Sequence, residues 1–227
     1  MLTLALAFAL APPTFALSAS KPVVVVREGK EQPTKVKVGQ PGVHHGDEAP
    51  VKNGDRVFAY CDGALVAVVV KVKTVMDEVT ETKTAKDVDV GCAARFYVKG
   101  DAGLVAGKFA NRAVVVDNLY DPMTLNDGRV LRRASEQHTT GNIVTSRQQL
   151  QLVTKEEGKA EDVAVLYDVD DDTAAIDVVF VGDLNGDGKD DVVFNGAVHN
   201  NATTLRLFLS DKTGALRELG HHTTTGC

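Results

Sequence analysis

The chain has 227 residues, enough for one domain or two small ones with a real core. Hydrophobic residues make up 44% and charged residues 25%, the balance of an ordinary globular protein rather than a disordered one. A net charge of −6, with no run of mixed basic and aromatic residues, argues against nucleic acid as a partner.

Met1 to Ala11 is apolar apart from Thr3, Pro12-Pro13 ends the run, and Ala16-Leu17-Ser18 offers a small-x-small cleavage pattern. Residues 1–18 read as a secretory signal peptide, unusual in lacking a Lys or Arg after Met1. The apolar run is far short of the ~20 residues that a membrane span needs, and no other segment approaches that length. The expectation is a secreted or periplasmic protein with no membrane span after signal cleavage. In that oxidising setting the three cysteines, Cys61, Cys92 and Cys227, would give one disulfide and one remaining thiol. All three pairings stay open, with Cys61–Cys92 the closest in sequence. No C-x-x-C occurs, which disfavours a redox motif or a zinc knuckle.

Val23–Val26 reads as a strand, followed by a polar stretch from Glu28 to Pro50 with a short strand at Lys35–Val38. Asp62-Gly63 between two apolar runs is a hairpin signal, so residues 56–74 should form a β-hairpin. Met76–Asp87 is charged and Thr-rich, a solvated connection or a strand edge. Ala94–Lys99 and Leu104–Phe109, joined through Gly100–Gly103, suggest a second hairpin, and Val114–Val116 a further strand. Pro122–Gly128 is a loop. Arg129–Gln149 is the segment that best suits some helix, although Thr139-Thr140-Gly141-Asn142 interrupts it. Gln149–Val153 and Val163–Tyr167 read as strands, with an acidic turn at Asp168–Asp172. Ile176–Val181, Val192–Phe194, Thr204–Leu209 and Ala215–Leu219 complete the strands, the last two joined by a turn at Asp211–Gly214.

The expected fold is mostly β: antiparallel hairpins forming a small sandwich, barrel or partial blade, with little helix. A boundary near Asp117–Gly128 would divide it into an N-terminal β subdomain, 19–120, and a C-terminal β subdomain, 121–227.

One stretch carries chemistry. From Asp183 to Asp191, oxygen-bearing side chains fall at the first, third, fifth and ninth places (Asp183, Asn185, Asp187, Asp191), with Gly188 at the sixth. A hard cation such as Ca²⁺ takes about 6–8 oxygen ligands in a small volume, and a tight loop supplies them at alternate positions. Three carboxylates drawn to one point repel each other unless a cation is present. Lys189 at the seventh place would add its backbone carbonyl, its side chain turned to water, and Asp190 would alternate outward. An EF-hand needs a Glu at the twelfth place and flanking helices, but Phe194 stands there inside a β-like run. The loop therefore caps a β-hairpin.

Val181 to Val193 resembles the calcium loop of FG-GAP/VCBS-type repeats, found in integrin α-chain propellers and in many bacterial exported proteins. The resemblance spans roughly Ile176 to Leu209 and implies a Ca²⁺ site in a β-hairpin. It does not imply a full propeller, which needs at least ~4 self-similar blades. The nearest second copy, Asp168-Val169-Asp170-Asp171-Asp172, has Thr173 where Gly is required and Ile176 where the last ligand is required. Leu207 to Cys227 also resembles the closing segment of small bacterial exported proteins with one such loop.

Other chemistry is poorly supported. His44-His45 and His221-His222 are adjacent pairs, which on a strand point to opposite faces and rarely chelate one ion, so they read as solvated loop residues. Ser135, Ser146 and Ser210 lie outside any G-x-S-x-G. Asn201-Ala202-Thr203 fits an N-glycosylation acceptor, relevant only in a glycosylating host. The expectation is thus a calcium-binding β module with a structural ion and an unidentified protein or glycan partner. A calcium-stabilised exported hydrolase, an enzyme accessory or inhibitor, and an adhesion module are the alternatives.

Overall fold

A computed structural model describes residues 26–27, 34–108, 122–140, 142–170, 175–197 and 201–225. The signal-peptide segment 1–18, most of Val23–Val26, Val114–Val116, Asp171, Asp172 and Cys227 lie outside them. The described residues contain no helix and seventeen strands. The first half holds β1 (Val26–Arg27), β2 (Lys37–Gly39), β3 (Gly42–His44), β4 (Arg56–Cys61), β5 (Ala64–Val69), β6 (Lys71–Asp77), β7 (Thr82–Asp89), β8 (Ala94–Lys99) and β9 (Gly107–Lys108). The second half holds β10 (Met123–Thr124), β11 (Val130–Thr140), β12 (Ile143–Thr154), β13 (Asp162–Asp170), β14 (Ala175–Gly182), β15 (Asp191–Ala197), β16 (Ala202–Ser210) and β17 (Leu216–Thr225).

The strands make four sheets, ordered β3-β7-β6, β2-β8-β4-β5-β9, β14-β15-β16-β17 and β1-β13-β12-β11-β10. Within them every pairing is antiparallel except β1 with β13. None closes into a barrel among the described residues.

Period-two alternation explains how the sheets meet. On β4, Val57, Ala59 and Cys61 face the β3-β7-β6 sheet and pack with Val88 and Val90. The intervening Phe58 and Tyr60 face the other way, toward β14–β17. There Tyr60, Phe96 and Phe180 form an aromatic group with centroids 4.9 to 5.6 Å apart. On β15, Val193 joins that same cluster, while Val192 and Phe194 turn to the opposite cluster with Leu150, Leu152 and Tyr167. The β14–β17 sheet is therefore apolar on both faces, which is why Val178–Val181 and Val192–Phe194 read as unbroken hydrophobic runs. Irregularities at Val178/Phe180 and Leu207/Phe208 switch the facing along these strands. The four sheets thus form a series in which each neighbouring pair shares one apolar cluster.

Several local expectations agree with the structure. Asp62 and Gly63 both take positive φ (47° and 81°) and join β4 to β5 in register from Arg56↔Val69 to Cys61↔Ala64. The sulfurs of Cys61 and Cys92 meet at disulfide distance, with Cα atoms 6.0 Å apart. Others need correction. Arg129–Gln149 carries no helix: β11 and β12 form a long hairpin, paired from Val130↔Val153 to Thr140↔Ile143. Its exposed Glu136 and Gln137 suit a helix, but the ladder along the whole hairpin decides the outcome. Ala94–Lys99 does not pair with the segment after it. β8 joins β2 and β4, and β9 joins β5. Of the two readings of Met76–Asp87, the strand edge is the one that fits: the stretch lies mostly in the β6–β7 hairpin, with β6 at a sheet edge. Asp168–Asp170 continues β13 instead of turning.

Candidate metal centre

Residues 183–190 connect β14 to β15, both central to the core, so the loop is anchored at each end by buried strand. Gly186 and Gly188 have φ of +77° and +84°, a backbone that side chains with a Cβ seldom adopt. Gly188 is legible in the ligand spacing; the need for Gly186 is not.

The loop folds around its own acidic side chains. Asp183 Oδ1 accepts the N–H groups of Gly186 (2.7 Å) and Asp187 (3.0 Å), and Oδ2 accepts that of Gly188 (2.8 Å). Asp187 Oδ1 accepts the Lys189 N–H (2.9 Å). Asn185 Oδ1 accepts the Asp187 N–H (3.0 Å), while its Nδ2 donates to the Ser210 carbonyl (3.1 Å).

Asp191 is fully buried. Its Oδ2 accepts the Leu184 N–H (2.6 Å), and its Oδ1 accepts both the N–H (2.7 Å) and the hydroxyl (2.9 Å) of Ser210. Burial raises the carboxyl pKa to about 6; the Ser210 and Leu184 hydrogen bonds oppose the rise, and the Asp187 charge adds to it. The Ser210 hydroxyl also stands 3.2 Å from Asp187 Oδ2 and so links the two carboxylates. Ser210 ends β16 and reaches the loop only through the β15–β16 pairing, so nothing in the loop's own sequence announces it.

The loop is tied to both neighbouring sheets. The Leu184 carbonyl accepts the Val105 N–H (3.0 Å), and its side chain is buried in the aromatic cluster. On the other side Asp190 Oδ2 accepts the Asn126 N–H (2.6 Å), and Asn126 Nδ2 donates to the Gly188 carbonyl (2.8 Å). Asp190 is therefore buried against Asn126, in the turn between β10 and β11, rather than turned outward. The Lys189 side chain is half-buried, its ammonium lying toward Gly214 and Asp127 instead of out in water.

Of the expected ligands, the structure brings Asp187 and Asp191 together through Ser210. Asp183 and Asn185 are held in turns of the loop backbone. No group of three or more His, Cys, Asp or Glu side chains is gathered for a metal among the described residues. The donors are all hard oxygens (three carboxylates, one carboxamide and a backbone carbonyl), and that set suits Ca²⁺ rather than a soft or nitrogen-seeking metal.

The histidine pairs are not solvated. His44 is buried and its Nε2 donates to the Gln40 carbonyl (2.9 Å), while His45 Nδ1 meets Asp77 (3.0 Å). His221 Nδ1 donates to Glu218 (2.8 Å) and His222 Nε2 to the Glu48 carbonyl (2.5 Å). Each ring is a structural fastener, and the two members of each pair point to different partners.

Comparison of the chain with protein-family models, with curated proteins and with solved structures returned no match.

Proposed function

We propose that the chain is an exported binding or structural module that holds one Ca²⁺ in its 183–191 loop. The ligands would be Asp183, Asn185, Asp187, the Lys189 carbonyl and Asp191. The observation that carries this reading is the loop's position. It joins two strands of the doubly covered sheet and is hydrogen-bonded to Val105 on one side and to Asn126 on the other. A cation there would offset the repulsion among three carboxylates and fix the middle sheet against both neighbours. The ligand spacing and the resemblance to the FG-GAP/VCBS loop support calcium. The Cys61–Cys92 pair supports an oxidising, extracytoplasmic setting.

Extracellular calcium is plentiful, so a site of ~10⁻⁴–10⁻³ M would fill. At a hundredfold excess over Kd the ion adds about 2.7 kcal/mol. For a chain of this length that is a rise of about 5–10 °C in Tm. The test is a thermal melt with calcium and with chelator, on the natural protein and on Asp187→Ala. Calcium should raise the Tm of the natural protein and leave that of the variant unchanged. An equal Tm in calcium and in chelator overturns the proposal.

A further inference from the structure

Asn126 stands in the turn between β10 and β11, in a different sheet from the two strands that the 183–191 loop joins. Beside it Leu125 is buried in the core, its N–H donating to the Arg129 carbonyl (2.7 Å) and its carbonyl accepting the Gly128 N–H (3.0 Å). The turn is thus closed by its own backbone and holds Asn126 in place. The Asn126 carboxamide meets the loop twice. Nδ2 donates to the Gly188 carbonyl (2.8 Å), and Oδ1 accepts the Asp190 N–H (3.3 Å). It lies along the loop as a neighbouring strand would, bracketing Lys189 from one side.

Peptide planarity carries this grip inward. No cis peptide bond occurs among the described residues, so the carbonyl and N–H of each peptide group point opposite ways. In the group that joins Gly188 to Lys189, the carbonyl faces Asn126 and the N–H reaches Asp187 Oδ1 (2.9 Å) on the far side. The next group turns its N–H to Asn126. The Lys189 carbonyl therefore points away from Asn126, to the side on which Asp187 lies. It accepts no hydrogen bond among the described residues. An inward carbonyl without a donor is an oxygen that a hard cation can use.

We infer that Asn126, resting on the calcium reading above, is a positioning residue for the ion. By holding the Gly188 carbonyl and the Asp190 N–H it aims the Lys189 carbonyl, the one main-chain oxygen of the ligand set. Calcium affinity then depends on a turn from another sheet, 62 residues before Gly188. Residues that orient ligands without touching the metal commonly govern affinity by 10–100-fold. Asn126 is exposed, and its own N–H would still reach Asp190 Oδ2 (2.6 Å) in Asn126→Ala, so the variant separates aiming from folding.

Calcium is titrated by calorimetry into metal-stripped natural protein and Asn126→Ala, with Asp187→Ala as the variant that loses a ligand. Each is also melted in chelator, and the Lys189 carbonyl carbon is followed by NMR through the Asp190 amide. Asn126→Ala should bind calcium about tenfold more weakly, while its melt in chelator stays cooperative and close to that of the natural protein. In the natural protein calcium should shift the Lys189 carbonyl resonance. An unchanged Kd in Asn126→Ala, with any loss of Tm equal in calcium and in chelator, makes Asn126 a fastener only and overturns this inference alone. A Lys189 carbonyl resonance that ignores calcium bound by the natural protein does the same without any variant. No calcium binding by the natural protein overturns the calcium reading and this inference together.

Discussion

Arg206 brings a full charge into the interior. The residue is fully buried in β16, its guanidinium carbon 4.9 Å from the centroid of the Tyr167 ring. Nη1 donates to Glu218 Oε1 at 3.0 Å, and His221 donates to the same oxygen at 2.8 Å. Burial works to raise the Glu218 pKa, but the His221 hydrogen bond and the Arg206 charge outweigh it and hold the carboxyl below its ordinary value. A carboxylate depressed in this way stabilises the fold above the ordinary Glu range and loses that contribution as pH falls through its lowered value. Arg206→Ala strands the Glu218 charge and should cost about 3–5 kcal/mol at neutral pH in urea unfolding. Acid titration should show the gap between the natural protein and Glu218→Gln narrowing as pH falls below the Glu range. A gap that is constant from neutral pH down through that range would mean the ion pair contributes nothing. Neither Arg206 nor Ser210 stands out in the sequence, because each gains its role from a residue on another strand or on a distant loop.

At the scale of elements, β17 fastens the middle sheet to its neighbour. Gly220 bridges Val36, and a Cβ at Gly220 would lie 2.3 Å from the Val36 carbonyl oxygen. Backbone cannot give way as a side-chain tip can, so Gly220→Ala should destabilise by about 2–3 kcal/mol, read from the denaturation midpoint. The Cys61–Cys92 link spans 31 residues and ties β4 to the turn before β8. Loop-closure entropy for that span is about 3–4 kcal/mol, so Cys92→Ser should lower unfolding stability by that order. Strands were legible in the sequence wherever the signal was local. Asp62-Gly63 declares its turn because both residues must reach positive φ. Pairing partners were not legible: nothing in Ala94–Lys99 says that it sits between β2 and β4 instead of folding back on Leu104. The β11–β12 hairpin was missed for a related reason, since polar residues at its exposed end carry no alternation for a core to impose.

For the whole molecule, the all-β class followed from turn spacing and β-branched runs, but the series of sheets did not. Unbroken apolar runs such as Val192–Phe194 mark burial on both faces without saying what lies on either side. The loop spacing named the candidate ligands, while the ties to Val105 and Asn126 that set the loop between three sheets are tertiary. Because the middle sheet supplies one wall of two clusters, a chain ended after residue 174 should expose both remaining walls. The truncated protein should bind a hydrophobic dye strongly and lose its cooperative melt. A compact fragment that melts sharply and ignores the dye would show that the outer sheets stand alone.

The position of β14–β17 also sets a timetable. The strands that occupy the centre in space follow those of the outer sheets along the chain. A ribosome that releases the amino terminus first therefore delivers every outer sheet before the piece that joins them. Through that interval two greasy surfaces are open to solvent and to other copies, and aggregation competes with completion. Overexpression at high concentration should accordingly be limited by how quickly residues 175–225 arrive rather than by the stability of the finished fold.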